Sequence, residues 1–245
     1  MSISLGNGVT RIGDNAFYGC SSLTSVTIPD SVTSIGVQAF RRCQVLPSMR
    51  IPDTITSIPE RMFSQCFNLT NITIPDSVTS IGFRAFSDCY ALANVTIGSG
   101  VTSIGVNVFY GCSFTSIAFP ENLTSIGTYA FENCSNCEIF DFRRARAVPC
   151  LLAANAFYLT STTKEIIVPD NLYDDWIVAN NWSSDDNNIR PCIVKASQSS
   201  LGVLETLTYV TYTEESGLGY WSGEIKGEIA GSSSSPYYTT QIPNI

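Results

Sequence analysis

Three residue types recur in this chain at one fixed interval, and that interval constrains the fold more than any other feature. Cysteine returns every 23 residues and then once after 22, at Cys20, Cys43, Cys66, Cys89, Cys112 and Cys134. Phenylalanine and isoleucine keep the same step, at Phe17, Phe40, Phe63, Phe86, Phe109 and Phe131 and at Ile12, Ile35, Ile58, Ile81, Ile104 and Ile126. Self-similarity of this length is typical of a solenoid, in which each unit is one coil.

One unit, residues 23–45, reads LTSVTIPDSVTSIGVQAFRRCQV. Its apolar residues at positions 1, 4 and 6 have the spacing of a leucine-rich-repeat strand, and Pro29 with Asp30 then turns the chain. A second short extended piece, VTSI, is expected to point its valine and isoleucine inward. The remaining VQAFRRC predicts one helical or 3-10 turn, with Phe40 and Cys43 inward. Because one such unit cannot bury enough apolar surface alone, neighbouring coils must stack.

This unit closely resembles the BspA-like class of bacterial leucine-rich repeats, also called the Treponema pallidum type. The phrase LTSVTIPDSVTSIGVQAF carries the resemblance, which extends over residues 1–197. It implies a β-rich leucine-rich-repeat solenoid with a C-terminal helical cap. The family consists mostly of surface or secreted proteins of host-associated microbes, implicated in adhesion to host proteins or to other bacteria, and the same role is expected here.

Three segments are predicted. Residues 1–163 form the array of about 23-residue coils, residues 164–197 form a last strand and a C-terminal cap helix, and residues 198–245 form an acidic β-hairpin extension with a flexible tail. In the loosened register after Cys134, Val148 is expected to take the isoleucine position and Phe157 the phenylalanine position. Asp170 is predicted to be the N-cap of the helix that contains Trp176.

The two ends of the chain are candidate interfaces. Ile3 and Leu5 fall in the strand of the first coil, before which the sequence contains no capping segment. An uncapped coil exposes apolar surface, which is expected to be covered by another chain, another copy, or an upstream region absent from this sequence. In the C-terminal hairpin, predicted to turn near Gly217 and Gly219, Tyr220 and Trp221 are the corresponding interface candidates.

Composition excludes several classes of function. The 245 residues contain no histidine, which excludes His-dependent triads and His metal sites. A net charge of −8 argues against nucleic acid or an anionic membrane as partner. No apolar run is long enough to span a bilayer, and MSISLGNGVTRIGDNAF lacks the features of a signal peptide. No cofactor is expected.

The cysteines are interpreted as a ladder of buried thiols that fill space. Equivalent cysteines in stacked coils would be about 4.8 Å apart, without the converging geometry that a disulfide needs. The motif CSNC at residues 134–137 resembles a redox or metal-binding pair, but both cysteines also fit apolar positions of the repeat. A zinc site would need two further ligands, so no metal is predicted.

The outward face of the first strand is the predicted binding surface. One residue per coil points outward there: Thr27, Arg50, Thr73, Thr96, Ala118 and Asp141. The basic residues are concentrated near Arg50, with Arg41, Arg42 and Arg61 close in sequence, and in a second cluster. The candidate ligand-binding residues are Arg50, Thr73, Thr96, Asp141, Arg143, Arg144 and Arg146. The alternative for each is a solvated side chain that binds nothing.

The leading hypothesis is a non-enzymatic protein-protein recognition or adhesion module of a microbial surface protein. As a fragment of a larger protein, it would lie on the cell surface or be secreted. The alternative is a structural component of a larger assembly, such as a virion or an appendage, with the first coil and the C-terminal tail as docking surfaces. An enzyme is not predicted, because no set of acid, base and nucleophile converges.

Overall fold

The structure is a computed structural model. It describes residues 1–146, 150–161, 163–178 and 192–201, and the backbone of two strands at 211–215 and 218–222. The repeats wind into stacked coils whose short parallel strands form two ladders, each interrupted where the strands of successive coils are not paired. This arrangement confirms the β-rich leucine-rich-repeat solenoid predicted from the sequence.

The first ladder consists of the strands whose outward face was the predicted binding surface. They are Ser2–Ser4, Ser25–Thr27, Asn71–Ile74, Asn94–Ile97, Ser116–Ala118, Ile139–Asp141, Glu165–Val168 and Ile193–Lys195. The second ladder consists of Arg11–Ile12, Ser34–Ile35, Ser57–Ile58, Ser80–Ile81, Ser103–Ile104, Ser125–Ile126 and Leu151–Leu152. All strand pairs within the two ladders are parallel. Equivalent residues of successive repeats lie opposite each other; Ile81, for example, lies opposite Ile104. The repeat period therefore sets the register.

The interior is built from columns of identical side chains. Ile58, Phe63 and Cys66 are at most 1% exposed, and their equivalents in the following coils are buried as well. The phenylalanine rings stack from Phe17 to Phe157, with centroids 5.0–5.8 Å apart and planes within 18° of parallel. Offset stacking at this distance is favourable for aromatic rings. The core is thus continuous along the array.

Between the second strand and the cysteine, each coil forms successive β-turns in place of the predicted helical or 3-10 turn. Gln38 and Arg42 have positive φ angles of 58° and 61°, and equivalent positions in the other coils do the same. The N–H of Gln38 donates to Glu60 in the next coil, at 3.0 Å, and that of Arg42 donates to Ser64, also at 3.0 Å. A helix would use these N–H groups internally, so hydrogen bonding to the neighbouring coil selects the turns. We call this segment the turn arc.

Two coils depart from the regular pattern. Residues 47–52 form no strand, because Pro47 has no N–H where its equivalent Thr24 donates to Met1 at 2.8 Å. In the seventh coil, Leu152 lies opposite Ile126 in the second ladder. The prediction that Val148 takes the isoleucine position was therefore wrong, since the inserted residues precede Leu152; Val148 itself lies outside the described residues. Phe157 occupies the phenylalanine column as predicted.

A C-terminal cap covers the last coil. Glu165–Val168 was expected to be the last strand, but Ile193–Lys195 follows it along the chain and pairs with it in parallel. Between them lie a 3-10 turn at Asp170–Leu172 and a helix at Tyr173–Val178, whose buried Trp176 packs 4.9 Å from the ring of Phe142. These contacts close the apolar layer.

Asp170 does not cap this helix, contrary to the sequence prediction. Its carboxylate Oδ1 accepts a hydrogen bond from the Ser197 N–H at 2.9 Å. Partial burial would raise the pKa of Asp170, but the bonds from Ser197 and the charge of Lys195 together lower it. The residue ties the two halves of the cap together instead.

In the C-terminal extension, Thr211–Glu215 and Leu218–Ser222 pair antiparallel, as the predicted hairpin requires. Gly219 lies within the second strand, opposite Glu214, and not at the turn. No helix among the described residues has the length and apolarity to cross a membrane.

Candidate functional site

The first-ladder face presents short polar side chains in consecutive coils. Thr27, Thr73 and Thr96 are exposed, and Thr73 lies directly opposite Thr96 in the register. Inward neighbours such as Ile72 are buried, because side chains alternate along a strand. The face is therefore an even polar surface over most of its length.

At the third coil this surface opens into a groove with a volume of about 330 Å³. Its lining includes two of the predicted binding residues: Ser48, Met49, Arg50, Ile51, Asp53, Asn71, Thr73 and Pro75. No hydrogen bond joins the backbone N–H or C=O groups of residues 48–51 to any other described residue. The break in the ladder at Pro47 thus leaves main-chain donors and acceptors at the groove.

Two carboxylates hold the guanidinium of Arg50: Asp53, which lines the groove, and Asp30 of the preceding coil. Its Nη1 donates to Asp30 Oδ1 at 2.5 Å, and its Nη2 donates to Asp53 Oδ2 at 3.2 Å. The hydrogen bond and the charge of Asp30, with a smaller effect of Asp53, raise the pKa of Arg50. The side chain of Arg50 remains 56% exposed. Arg50 is therefore oriented but still accessible to a partner.

Two other predicted binding residues are engaged with each other. Arg143 donates from Nε and Nη2 to the two oxygens of Asp141, at 2.9 and 2.8 Å, and its backbone N–H adds a third bond. Their side chains are only 10% and 12% exposed. A planar, two-point pair of this kind at so low an exposure supports the seventh coil and offers little to a ligand.

The remaining candidates do not converge on the groove. Arg144 and Arg146 are exposed in the seventh coil, where Arg146 pairs with Glu121 at 2.5 Å. The groove belongs to the third and fourth coils, so these arginines are separate from Arg50. Thr96 lies beside the groove, in the coil after Thr73.

The arginines that are close to Arg50 in sequence lie on another side of the coil. Arg41 and Arg42 belong to the turn arc, with guanidinium carbons 5.7 and 5.9 Å from the centre of the Tyr18 ring. Arg61 lies 4.8 Å from the Phe83 ring in the same way. Closeness in sequence therefore does not place these residues beside Arg50, because about ten residues carry the chain to a different side of the coil.

The interface candidates of the first coil are half-buried. Ile3 and Leu5 pack against the core without being enclosed, and so do Val9, Phe17 and Cys20. Their equivalents in the second coil, such as Phe40 and Cys43, are fully buried. Tyr220 and Trp221 lie on the second strand of the hairpin, and their side chains are outside the described residues.

The prediction of a buried thiol ladder is confirmed. Cys43, Cys66, Cys89, Cys112 and Cys134 are at most 2% exposed, and each thiol donates to a phenylalanine carbonyl of the preceding coil at 3.0–3.3 Å. Burial raises the pKa of Cys43 to about 12 and also raises that of Cys66. These cysteines satisfy backbone carbonyls as well as filling space.

The Cys-x-x-Cys motif belongs to the same core. Cys134 and Cys137 are both fully buried, in the ladder and in the first-strand position respectively. Within the part of the chain that the structure describes, no group of three or more Cys, Asp or Glu side chains could hold a metal ion. Packing accounts for both residues.

Comparison with known proteins identifies the family. The model of the BspA type leucine-rich repeat region matches in six copies, over residues 1–105 and 56–175. The structure is similar to that of the T. pallidum leucine-rich repeat protein TpLRR, with 28% identity, a TM-score of 0.61, and coverage of 70% of this chain and 79% of that one. It has the same fold as a leucine-rich repeat protein from Bacteroides ovatus, at 22% identity and a TM-score of 0.50 over 68% of this chain and 55% of that one. A search of curated proteins gives no match.

The family is typically non-enzymatic, and the family and the similar structure together indicate a repeat module for protein interaction or for a surface. These findings agree with the columns of isoleucine, phenylalanine and cysteine seen in the core. The chain belongs to the BspA-type leucine-rich repeat family.

Proposed function

We propose that this chain is a non-enzymatic recognition module that binds a protein partner through its first-ladder face, at the groove beside Arg50. The observation that carries the proposal is the break at residues 48–51. There, main-chain groups without hydrogen bonds to other described residues lie beside an exposed, pre-oriented guanidinium. Main-chain groups without partners at a break in a ladder favour an extended polypeptide segment, whose own backbone supplies the missing partners.

The surrounding side chains fit such a partner. Thr73 and Asn71 line one wall of the groove, and both are exposed. Hydroxyl and amide groups of this size can hydrogen-bond to the main chain of a bound segment without excluding that segment from the groove. Arg50 would add a charged anchor for a partner carboxylate that competes with Asp53, the more distant of its two acids. In keeping with the family resemblance, we infer an adhesive role on a microbial surface.

The test is binding to a defined panel of purified host extracellular-matrix proteins, measured by biolayer interferometry. Thr73→Arg with Thr96→Arg places two long side chains over the groove, and it should weaken binding at least tenfold. Ser135→Arg with Asn136→Arg makes the same change in charge and size at exposed turn positions, and it should leave affinity within twofold. Equal losses in the two variants would reject the groove, and failure of every panel protein to bind would reject matrix adhesion.

A second candidate function, a structural component of a larger assembly, is favoured by the first coil. Half-buried Ile3, Leu5 and Phe17 leave apolar surface open there, which a neighbouring subunit could cover. Sedimentation velocity over a hundredfold concentration range should then show association, and Ile3→Lys with Leu5→Lys should abolish it. A single monomeric species at every concentration would reject this candidate.

A further inference from the structure

Four arginines of the second, third and fourth coils lie together on the turn arc. They are Arg41, Arg42, Arg61 and Arg84, and we call them the arginine shelf. Along the chain, a second-ladder strand lies between the first-ladder face and this arc in the coils concerned. The shelf is therefore distinct from the groove, and its role is independent of the proposed function.

Aromatic rings hold the guanidinium groups in place. Arg41 and Arg42 lie 5.7 and 5.9 Å from the centre of the Tyr18 ring. Arg61 and Arg84, which occupy the same position in consecutive coils, lie 4.8 and 5.1 Å from the centre of the Phe83 ring. A cation within about 6 Å of a ring centre is attracted by the ring quadrupole. The guanidinium groups are thus positioned without losing their charge.

Neutral side chains supply most of the remaining contacts. Arg41 Nη1 donates to Gln38 Oε1, and Arg42 Nε donates to Gln65 Oε1, both at 2.7 Å. The Nε of Arg41 is enclosed without an acceptor among the described residues. Of the four arginines, only Arg61 forms a salt bridge among the described residues, with the adjacent Glu60. The hydrogen bonds to glutamine orient Arg41 and Arg42 without compensating their charge, whereas the charge of Arg61 is partly balanced by Glu60.

The charge of this region contrasts with that of the whole chain. Residues 36–45, 59–68 and 82–91 contain four arginines and two acids, Glu60 and Asp88, a net charge of +2, whereas the chain carries −8. Asp88 is occupied by hydrogen bonds from Ser87 and Tyr90. Beyond these coils, Glu132 is half-buried and interacts electrostatically with Arg84. The shelf is a local positive patch on an acidic protein.

We propose that the arginine shelf binds a linear anionic polysaccharide, one that bears a carboxylate or sulfate on successive sugars. Guanidinium groups bind such oxyanions through two parallel hydrogen bonds. Two exposed rings flank the shelf, with Tyr18 40% and Tyr90 54% exposed, and Tyr90 is fixed by stacking 5.5 Å from Phe67. Rings in this position can pack against the C–H faces of sugars.

An extended acidic peptide fits the shelf less well. Same-side residues of a strand recur about every 6.6 Å, whereas coils of a parallel ladder are about 4.8 Å apart. Carboxylates of an extended peptide would therefore lose register with the guanidinium groups of successive coils. Charge complementarity is met by both ligands, and the regular, one-coil spacing of Arg61 and Arg84 favours the polysaccharide.

The experiment measures binding of the full chain to immobilised size-defined heparin and to polygalacturonate, at low and at physiological salt. Both probes test the shelf: heparin carries sulfate as well as carboxylate, and polygalacturonate carries carboxylate alone. We expect binding to at least one of them that weakens as salt rises. Arg61→Gln with Arg84→Gln should reduce affinity at least tenfold, and Arg61→Lys with Arg84→Lys should reduce it less, because charge is kept while the planar fork is lost.

The matched control is Arg144→Gln with Arg146→Gln, which removes the same charge from the other basic cluster and should change affinity by less than twofold. Circular dichroism and thermal unfolding of every variant show whether the fold is retained. Equal effects of the shelf and control variants, or no binding to either probe at low salt, would overturn the proposal. So would an oligoglutamate peptide that competes as strongly as the polysaccharide, since the partner would then be an acidic protein.

Discussion

Removing one ring from the middle of the phenylalanine column tests whether the coils are stabilised by their neighbours. Phe86 is completely buried, and its ring lies 5.4 Å from that of Phe63 and 5.5 Å from that of Phe109. Phe17, in the first coil, is half-buried and has a single stacked neighbour, Phe40, at 5.0 Å. The same substitution at these two equivalent positions therefore removes different amounts of packing.

The expected losses follow from burial. Phe86→Ala removes a fully enclosed ring and leaves a cavity that rigid neighbouring coils cannot fill, so the free energy of unfolding should fall by about 3–5 kcal/mol. Phe17→Ala removes about half of that contact area and should cost about 1.5–2.5 kcal/mol. Phe86→Leu keeps most of the volume and should cost about 1–2 kcal/mol.

Urea unfolding measures these differences. Circular dichroism reports on the coils, and tryptophan fluorescence reports in part on the cap, where Trp176 is buried. Coincident transitions with unchanged slopes would justify comparing free energies. Equal losses for Phe17→Ala and Phe86→Ala, or a loss below about 1.5 kcal/mol for Phe86→Ala, would show that coils do not depend on stacked neighbours and would refute the reasoning.

Three further predictions concern the backbone, the thiols and the ion pairs. Leu159 has a φ of 54° and is 56% exposed, so Leu159→Gly should raise the free energy of unfolding by about 1 kcal/mol. Gly111 is at the equivalent position and has a φ of 71°, so Gly111→Ala should lower the free energy of unfolding. Because burial raises the pKa of Cys43 to about 12, stability is complete below about pH 8.5, where the unfolded thiol is protonated. It should fall as pH rises from there towards 12, by up to about 1.4 kcal/mol per pH unit for each such thiol. Asp141→Asn removes the carboxylate charge that faces the almost buried guanidinium of Arg143 and should cost about 3 kcal/mol, whereas Arg50→Gln, with its exposed partners, should cost less than about 1.

Each of these has a distinct contrary result, measured by urea unfolding. Destabilisation by Leu159→Gly would show that its side chain contributes more than its backbone strain costs. The burial argument would be contradicted if the free energy of unfolding had the same pH dependence above pH 9 in the wild type and in Cys43→Ala. Equal costs for the substitutions of Asp141 and Arg50 would show that exposure does not control the strength of these pairs.

The candidate site was only partly predictable from the sequence. Arg50 and Thr73 were expected to share an outward face, and they line one groove. The groove itself was missed, although Pro47 was a readable signal, since a residue without an N–H cannot donate to a ladder. Asp141 and Arg143 were placed on the binding face, but they pair with each other. Arg143 follows Asp141 by two residues at the end of a strand, and this spacing brings the opposite charges into contact.

The turn arc shows where local sequence was insufficient. A segment such as VQAFRRC supports either a helical turn or successive β-turns, since both place Phe40 and Cys43 inward. The carbonyl groups of the next coil decide between them by accepting the N–H groups of Gln38 and Arg42. In the seventh coil, too, a neighbouring coil decides the outcome, because Leu152, four residues beyond Val148, pairs with Ile126 of the sixth coil.

The sequence by itself determined the solenoid, its period and the side chains of its core, because every coil repeats the same contacts and a repeat in sequence becomes a stack in space. Tertiary structure alone decided how each backbone is hydrogen-bonded between coils, where the ladder opens at residues 48–51, and which arginines meet on one side. These outcomes depend on groups about one repeat distant along the chain, whose position is known only after the coils have stacked.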